Sequence, residues 1–481
     1  MIQFYREKSK MAKDLNEIKK IWKEAGVIQA SINLLRWDEA VMMPACGASV
    51  RAAQLAWLNQ QLRSTCSQKL LDDMQEARLM TSLDDESRRG LDLMIGKCRR
   101  TLAIPAKLDH EIVRMQSLTE KKWRAAWDQN SFGPVAADFE KLVLLIREKG
   151  DYLKEGEDFS SYEALAHEYD AEFSLSETVS LFSDTENRLN SLLLEHPAQG
   201  QARRFPMERR KQKKLVRDLM SSAGLTESSL RIDSTRHPFT ESWPGDIRIG
   251  INYDEHDVLP TYLAAMHEAG HALYDASLFH AYGLGPCARE VGMIMHEGMA
   301  LLWENAFGRS HAGASFLANI LEEDPHEIYR SLNVLSPGKS RIHADVSHYM
   351  LHIIMRFQME MDLLSGCLQV RDLPQVWEEN SVRFLKYRPA SMREGCLQDI
   401  HWYLGYFGYF PCYGLGQLLG MQLWLQFTGA CDGLPDVLSL ENWLKEHVYQ
   451  RSALTGSGQL LRELCHAELR PEAFLQVCGS C

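Results

Sequence analysis

Apolar residues recur at helical spacing through the first half of the chain. Leu15, Ile18, Ile21 and Trp22 make one stripe at i, i+3 and i+4, with Lys and Glu between them. Similar stripes occupy about 48–64 and 107–127, and Phe139, Leu142, Val143 and Ile146 repeat the pattern within 136–150. The pattern predicts helix after helix, each with one buried face, the first starting near Met11. The rhythm breaks between 228 and 253. There Asp246 to Tyr253 alternates strictly, with Ile247, Ile249 and Ile251 on one side, which predicts a half-buried strand. Leu230-Arg231-Ile232 is a candidate partner strand, and Pro238 and Pro244-Gly245 supply turn chemistry between the two. The fold class expected is mainly α, with a small antiparallel sheet.

At roughly 150 residues per domain, a chain of this length would hold about three domains, an upper bound for a large helical scaffold. The net charge of −12 argues against nucleic acid or an anionic membrane as the main partner, because phosphate binding needs clustered Lys and Arg. The basic segment Gln199–Lys214 is read as a solvated helix face or connection rather than a phosphate-binding patch. No apolar run approaches the ~20 residues that span a bilayer, and Met1–Lys20 is charged throughout, unlike a secretory signal. The 11 cysteines are scattered without the spacing of a disulfide scaffold, so reduced thiols and a cytoplasmic location are expected. Cys478 and Cys481 form a CxxC without a βαβ context and are read as a frayed tail.

The chemistry concentrates at His267-Glu268-Ala269-Gly270-His271, an HExxH. Residues four apart on a helix share one face, so both imidazoles can reach one Zn²⁺. Pro260 suits the first turn of that helix, and Leu263, Met266 and Leu273 continue its apolar face. Glu268, beside the first ligand, is placed to take a proton from a water that the metal has made acidic, with a pKa near ~7. A catalytic zinc needs a third protein ligand and an open position. Glu297, in the helical segment His296–Asn305, becomes a candidate if the Gly283–Pro286 turn folds that segment back antiparallel. His296 is read as a core histidine, and Asp275 and Glu304 as acids that could orient the ligand imidazoles or simply lie on helix faces.

These residues sit within a longer series of ordered motifs. Trp37-Asp38, Met43-Pro44 and Arg51 come first, then His237-Pro238-Phe239 and Asp246-Ile247-Arg248 ahead of the HExxH. His296-Glu297-Gly298, Arg341-Ile342-His343-Ala344-Asp345, Gly395 to Trp402 and Phe407 to Tyr413 follow it. Over nearly its whole length the chain resembles the carboxypeptidase Taq family of zinc metallocarboxypeptidases. The resemblance implies one saddle-shaped helical catalytic domain over 1–481, with a deep cleft and a small sheet at its edge. Its N-terminal helical lobe would run over about 11–225 and the metal-site part over about 226–481. It implies His267, His271 and Glu297 as ligands to zinc (or cobalt or another divalent ion in its place), Glu268 as general base, and a homodimer.

Hydrolysis of a C-terminal peptide bond with broad specificity is the implied reaction. Tyr413 and His237 are candidate donors to the tetrahedral oxyanion. The substrate's free carboxylate calls for a guanidinium, with Arg341 first and Arg248 and His401 as alternatives. An ion pair from Arg341 to Asp345, four residues on in a helix, is the competing structural role. The sequence departs from the family at Gly250, Met299 and Val346, where Thr, Gln and Glu are usual; these put substrate preference and rate in question. Competing functions are a related zinc endopeptidase or dipeptidase, and a catalytically impaired peptide-binding homologue.

Overall fold

The structure, a computed structural model, describes residues 2–195, 202–289, 291–431 and 433–479, with side chains from Leu15 onward. The expected helical run is present. Helix α1 spans Ile2–Val41, beginning upstream of Met11, and α2 spans Ala48–Ser64. They are followed by α3 (Gln68–Arg78), α4 (Asp85–Ala103), α5 (Ala106–Gln129) and α6 (Gly133–Leu153). The short α7 (Ser161–Ala166), α8 (Leu175–Glu195) and α9 (Arg209–Ser222) lead to the sheet. Helix α9 takes up the described part of the basic segment: Leu215, Val216 and Leu219 are buried while most of its cations face solvent, as a solvated helix face requires. In contrast, α2 carries an apolar stripe but buries no residue, and Trp57 stays exposed.

The sheet has three strands, β1 (Leu230–Ser234), β2 (Phe239–Trp243) and β3 (Asp246–Ile251), with β3 in the centre. β2, a strand the sequence reading did not single out, forms a hairpin with β3 around Pro244-Gly245, where Gly245 adopts φ 79°. β1 does pair with β3, but parallel, so the sheet is mixed rather than antiparallel. β2 takes one edge of β3 through the tight turn, which leaves β1 the other edge. Ile247, Ile249 and Ile251 all point into the core.

Helix α10 (Val258–Tyr282) follows, capped by Asp257, whose carboxylate accepts from the Leu259 amide. It is buried on nearly all sides, as its high apolar content requires. Then come α11 (Met293–Leu301), a π-helical turn (Leu302–Phe307), α12 (His311–Leu321) and α13 (Pro325–Leu332). The last elements needed here are α14 (Val346–Ser365), α15 (Leu373–Leu385), α16 (Phe410–Ala430) and α17 (Val437–Leu444). The main hydrophobic core runs from Ile104 to Cys478, so the tail cysteine is packed, not frayed; Cys481 lies outside the described residues. A second, smaller core joins α1, α3 and α4 around Trp22, Met74 and Leu91.

Glu441 of α17 is buried, with the Tyr449 hydroxyl donating to it at 2.8 Å and Lys445 at 3.1 Å. Burial lifts its pKa to about 7, against the pull of both neighbours. The folded value lies above that of an unfolded Glu, ~4.3, so its contribution to stability is complete below that pH and is lost as pH rises through about 7. Glu441→Gln is expected to flatten the fall in unfolding free energy over this window. Denaturant titrations at about pH 5 and pH 8 measure it, and unchanged slopes between the two proteins would refute the assignment.

Candidate metal centre

His267, Glu268 and His271 all lie on α10, and helical spacing puts the two imidazoles together, ring centroids 4.9 Å apart. The third group arrives because α11 packs unusually close to α10. Gly270 makes this possible: a Cβ there would sit 2.6 Å from the Ala300 Cα and the Met299 carbonyl. On the far side of α11, a Cβ on Gly416 of α16 would meet the Gly298 amide at 2.8 Å. Three helices therefore stack around Glu297.

Glu297 Oε2 lies 3.9 Å from His267 Nε2 and 3.8 Å from His271 Nε2. The three groups offer ligand atoms within 4.8 Å of one another. A tetrahedral ion with bonds of ~2.1 Å needs ligand separations of about 3.4 Å, so the spacing suits a metal. The stronger sign is that Oε2 is fully buried and has no hydrogen-bond partner. An uncompensated buried carboxylate oxygen is costly, and a cation between the three atoms would satisfy it. The donor set, two imidazoles and a carboxylate, is that of an open catalytic zinc site.

The surroundings hold these groups in place. Glu304, in the π-helical turn, bonds His267 Nδ1 at 2.9 Å, as a carboxylate that orients a ligand imidazole does. Burial opposes the imidazolium of His267, but Glu304, together with Glu268 and Glu297, outweighs it and raises the pKa to about 9. Burial, with His296 and His267 nearby, pushes His271 well below the ordinary value. Asp275 does not touch a ligand. It pairs with His296 at 3.2 Å, and the His296 ring stacks on His271 at 4.2 Å, so His296 is packed behind the site rather than in it. Ser242 of β2 donates to Asp275 from the other side.

Glu268 is buried, and burial raises its pKa to about 7 against the pull of His267 and Thr240. The Thr240 hydroxyl, on β2, donates to Glu268 Oε2 at 2.6 Å. Tyr409, at the start of α16, donates to Glu297 Oε1 at 2.7 Å, leaving Oε2 to face the histidines. Neither Thr240 nor Tyr409 was picked out in the sequence. Tyr409 lay within the Phe407–Tyr413 motif, the one signal that could have found it. Tyr409→Phe is expected to weaken metal binding by about 10–100-fold, read by metal titration, since partners of ligand groups have effects of that size. An unchanged affinity would show the hydroxyl does not orient Glu297.

Tyr413 packs against Tyr409 (5.2 Å) and under the Arg341 guanidinium (4.8 Å). Arg341 is not helical with Asp345. It lies in a 3₁₀ turn, while Asp345 caps α14 through the Ser347 and His348 amides. Its partner is Asp399, at 2.9 Å from Nε. The same carboxylate takes the fully buried Arg356 of α14 at 2.8 Å, and His401 lies 3.9 Å away. Two guanidiniums on one carboxylate leave the cluster net positive. Arg248 instead forks onto Asp246 of its own strand, at 3.0 and 2.8 Å. His237 is exposed on the β1–β2 connection, where the Thr235 hydroxyl donates to its backbone carbonyl.

The departures fall in packed surroundings at all three positions. A Cβ on Gly250 would meet the Thr235 side chain at 2.7 Å, so Thr235 fills the space a residue there would take. Met299 is fully buried in the main core, and Val346 is buried in the first turn of α14.

The sequence profile of the carboxypeptidase Taq (M32) metallopeptidase family matches residues 17–479. Thermostable carboxypeptidase 1 of Pyrococcus furiosus is 27% identical to the chain, over 96% of each. The structure superposes on Pyrococcus furiosus carboxypeptidase with TM-score 0.90 at 25% identity, covering 97% of this chain and 98% of that one. For the M32 carboxypeptidase of Deinococcus radiodurans the TM-score is 0.89 at 26% identity, covering 96% and 97%. With a family match over almost all of its length, and a His/His/Glu cluster of the kind a metallopeptidase requires, the chain belongs to the carboxypeptidase Taq (M32) family of metallopeptidases.

Proposed function

We propose that the chain is a zinc carboxypeptidase of broad specificity, removing the C-terminal residue of peptides, with His267, His271 and Glu297 holding the metal and Glu268 as general base. The observation that carries this reading is the buried Glu297 Oε2, unpaired and aimed at both histidine Nε2 atoms. When bound, the metal supplies Lewis acidity that polarises the scissile carbonyl and acidifies water. Glu268 takes the proton from the attacking water and returns it to the leaving amine. Thr240 fixes its carboxylate at one oxygen, leaving the other for the proton. Tyr413 is the nearer of the two candidate oxyanion donors, being packed against Tyr409, which holds Glu297.

Exopeptidase action requires recognition of a carboxylate. The excess positive charge where Arg341 and Arg356 share Asp399 supports Arg341 as that receptor. Arg356 is buried and committed to Asp399, His352 and Gln398. Burial and the Arg341 charge push His401 down to about 3, so it acts as a neutral donor or acceptor. Arg248 is the weaker alternative because Asp246 already neutralises it.

Arg341→Ala is expected to raise KM for free-acid peptides about 10–100-fold, the size of a lost charged hydrogen bond, with a smaller change in kcat. An unchanged KM would move the carboxylate receptor elsewhere. Timed mass spectrometry on paired peptides with free and amidated C-termini, after zinc replacement, tests the reaction itself. Equal cleavage of both would indicate an endopeptidase. A cytoplasmic location, supported by the scattered cysteines, and a homodimer, supported by family likeness, belong to the same reading; light scattering tests the dimer. Among the described residues no helix is long and apolar enough to cross a membrane.

A further inference from the structure

Cys66 lies in the corner between α2 and α3, just before Ser67, which caps α3. Cys98 lies on α4, which packs against α3. Their sulfurs are 2.7 Å apart, well inside ordinary contact for two thiols and close to the ~2.05 Å of a disulfide. Both are buried in the small core formed by α1, α3 and α4. Cys66 keeps 9% of its surface exposed and Cys98 none, which separates an attacking sulfur from a resolving one.

Three other cysteines are held as thiols by burial. Burial raises Cys287 and Cys396 to about 12 and Cys465 to about 11. Cys66 goes the other way, to about 7, chiefly through the hydrogen bond with Cys98, with Thr101, Lys97 and Thr65 helping against burial. A low-pKa sulfur next to a second thiol is the arrangement of a redox-responsive pair.

The location gives the pair a consequence. The small core is separate from the main one, and α4 is one of the elements that joins it to the body. Gly90 of α4 packs on Trp22 and on Pro286, the Cys287 thiol reaches the Glu86 carbonyl, and Arg89 approaches Glu172 at 3.6 Å. A link from Cys98 to Cys66 would tie the α2–α3 corner to the helix that is anchored on the body.

We propose that Cys66 and Cys98 are a site of reversible disulfide modification, closed by a hydroperoxide, that staples the α2–α3 corner to α4. The Cys66 thiolate attacks one peroxide oxygen. The O–O bond breaks, and the departing alkoxide or hydroxide takes up the proton Cys66 had lost. Cys66 is then a sulfenic acid. Cys98 loses its proton and attacks the Cys66 sulfur, the S–O bond breaks, and hydroxide leaves with that proton as water. Two thiols and one hydroperoxide become one disulfide, one alcohol (or water) and one water. The sulfurs give up two electrons and the peroxide takes them. A small-molecule dithiol reverses the step.

The test uses the full-length protein exposed to hydrogen peroxide, with remaining thiols alkylated and the digest mapped by mass spectrometry without reduction. A Cys66–Cys98 linked peptide is expected, lost on treatment with dithiothreitol. The oxidised protein should also unfold several degrees higher than the reduced protein, because the link restrains the unfolded chain. Cys98→Ser should lose both the link and the shift. If that variant does not fold, the wild-type map alone decides. Alkylation of both cysteines after oxidation, over-oxidation of Cys66, or its pairing with another cysteine would overturn the proposal.

Discussion

Glu268→Gln is expected to keep its metal and to lose turnover by about 10²–10⁴-fold, the usual contribution of a general base. The substitution preserves shape, and the Thr240 hydroxyl can still donate to the remaining carbonyl oxygen, so the fold and the two histidines should be undisturbed. What disappears is the ability to accept a proton. Substrate binding should change little, so the loss falls on kcat while KM holds. Metal analysis and steady-state kinetics on the same preparation give both readings. A variant that loses metal and activity together would make Glu268 a ligand or a structural acid, and the proposed mechanism would fail.

His271→Ala should remove the metal itself, and with it all peptidase activity. Three protein groups converge here, and losing one leaves a two-ligand site that competes poorly for a divalent ion. His271 is the most constraining of the three to remove. Its ring is stacked on His296, which is held by Asp275, so truncation also opens a cavity beneath the site. The readout is metal stoichiometry after dialysis against a chelator and re-addition of zinc. Full occupancy in the variant would mean the ligand set is wrong.

The helical run, the position of the β3 strand and the HExxH helix were all legible locally. Each rests on spacing within one element: i, i+3 and i+4 for the stripes, alternation for Ile247, Ile249 and Ile251, and i, i+4 for His267 and His271. The parallel pairing of β1 was not legible, because a strand's sequence fixes which face it buries and leaves open which edge it joins. The partner of Arg341 was misjudged for a similar reason. Asp345 is near in sequence, but it caps α14, and Asp399 comes from 58 residues away.

The sequence by itself determined the family, the helical class and the placing of His267 and His271 on one helix face with Glu268 beside them, because these depend on short-range periodicity and on ordered motifs. Only the tertiary structure decided what stands around them. Gly270 lets α11 approach α10 closely enough for Glu297 to meet both histidines, and Tyr409 and Thr240 arrive from α16 and β2 to hold Glu297 and Glu268. The pairing of Cys66 with Cys98 is also a matter of which helices pack together. Such contacts join residues tens to hundreds of positions apart, and close packing rather than local periodicity selects them.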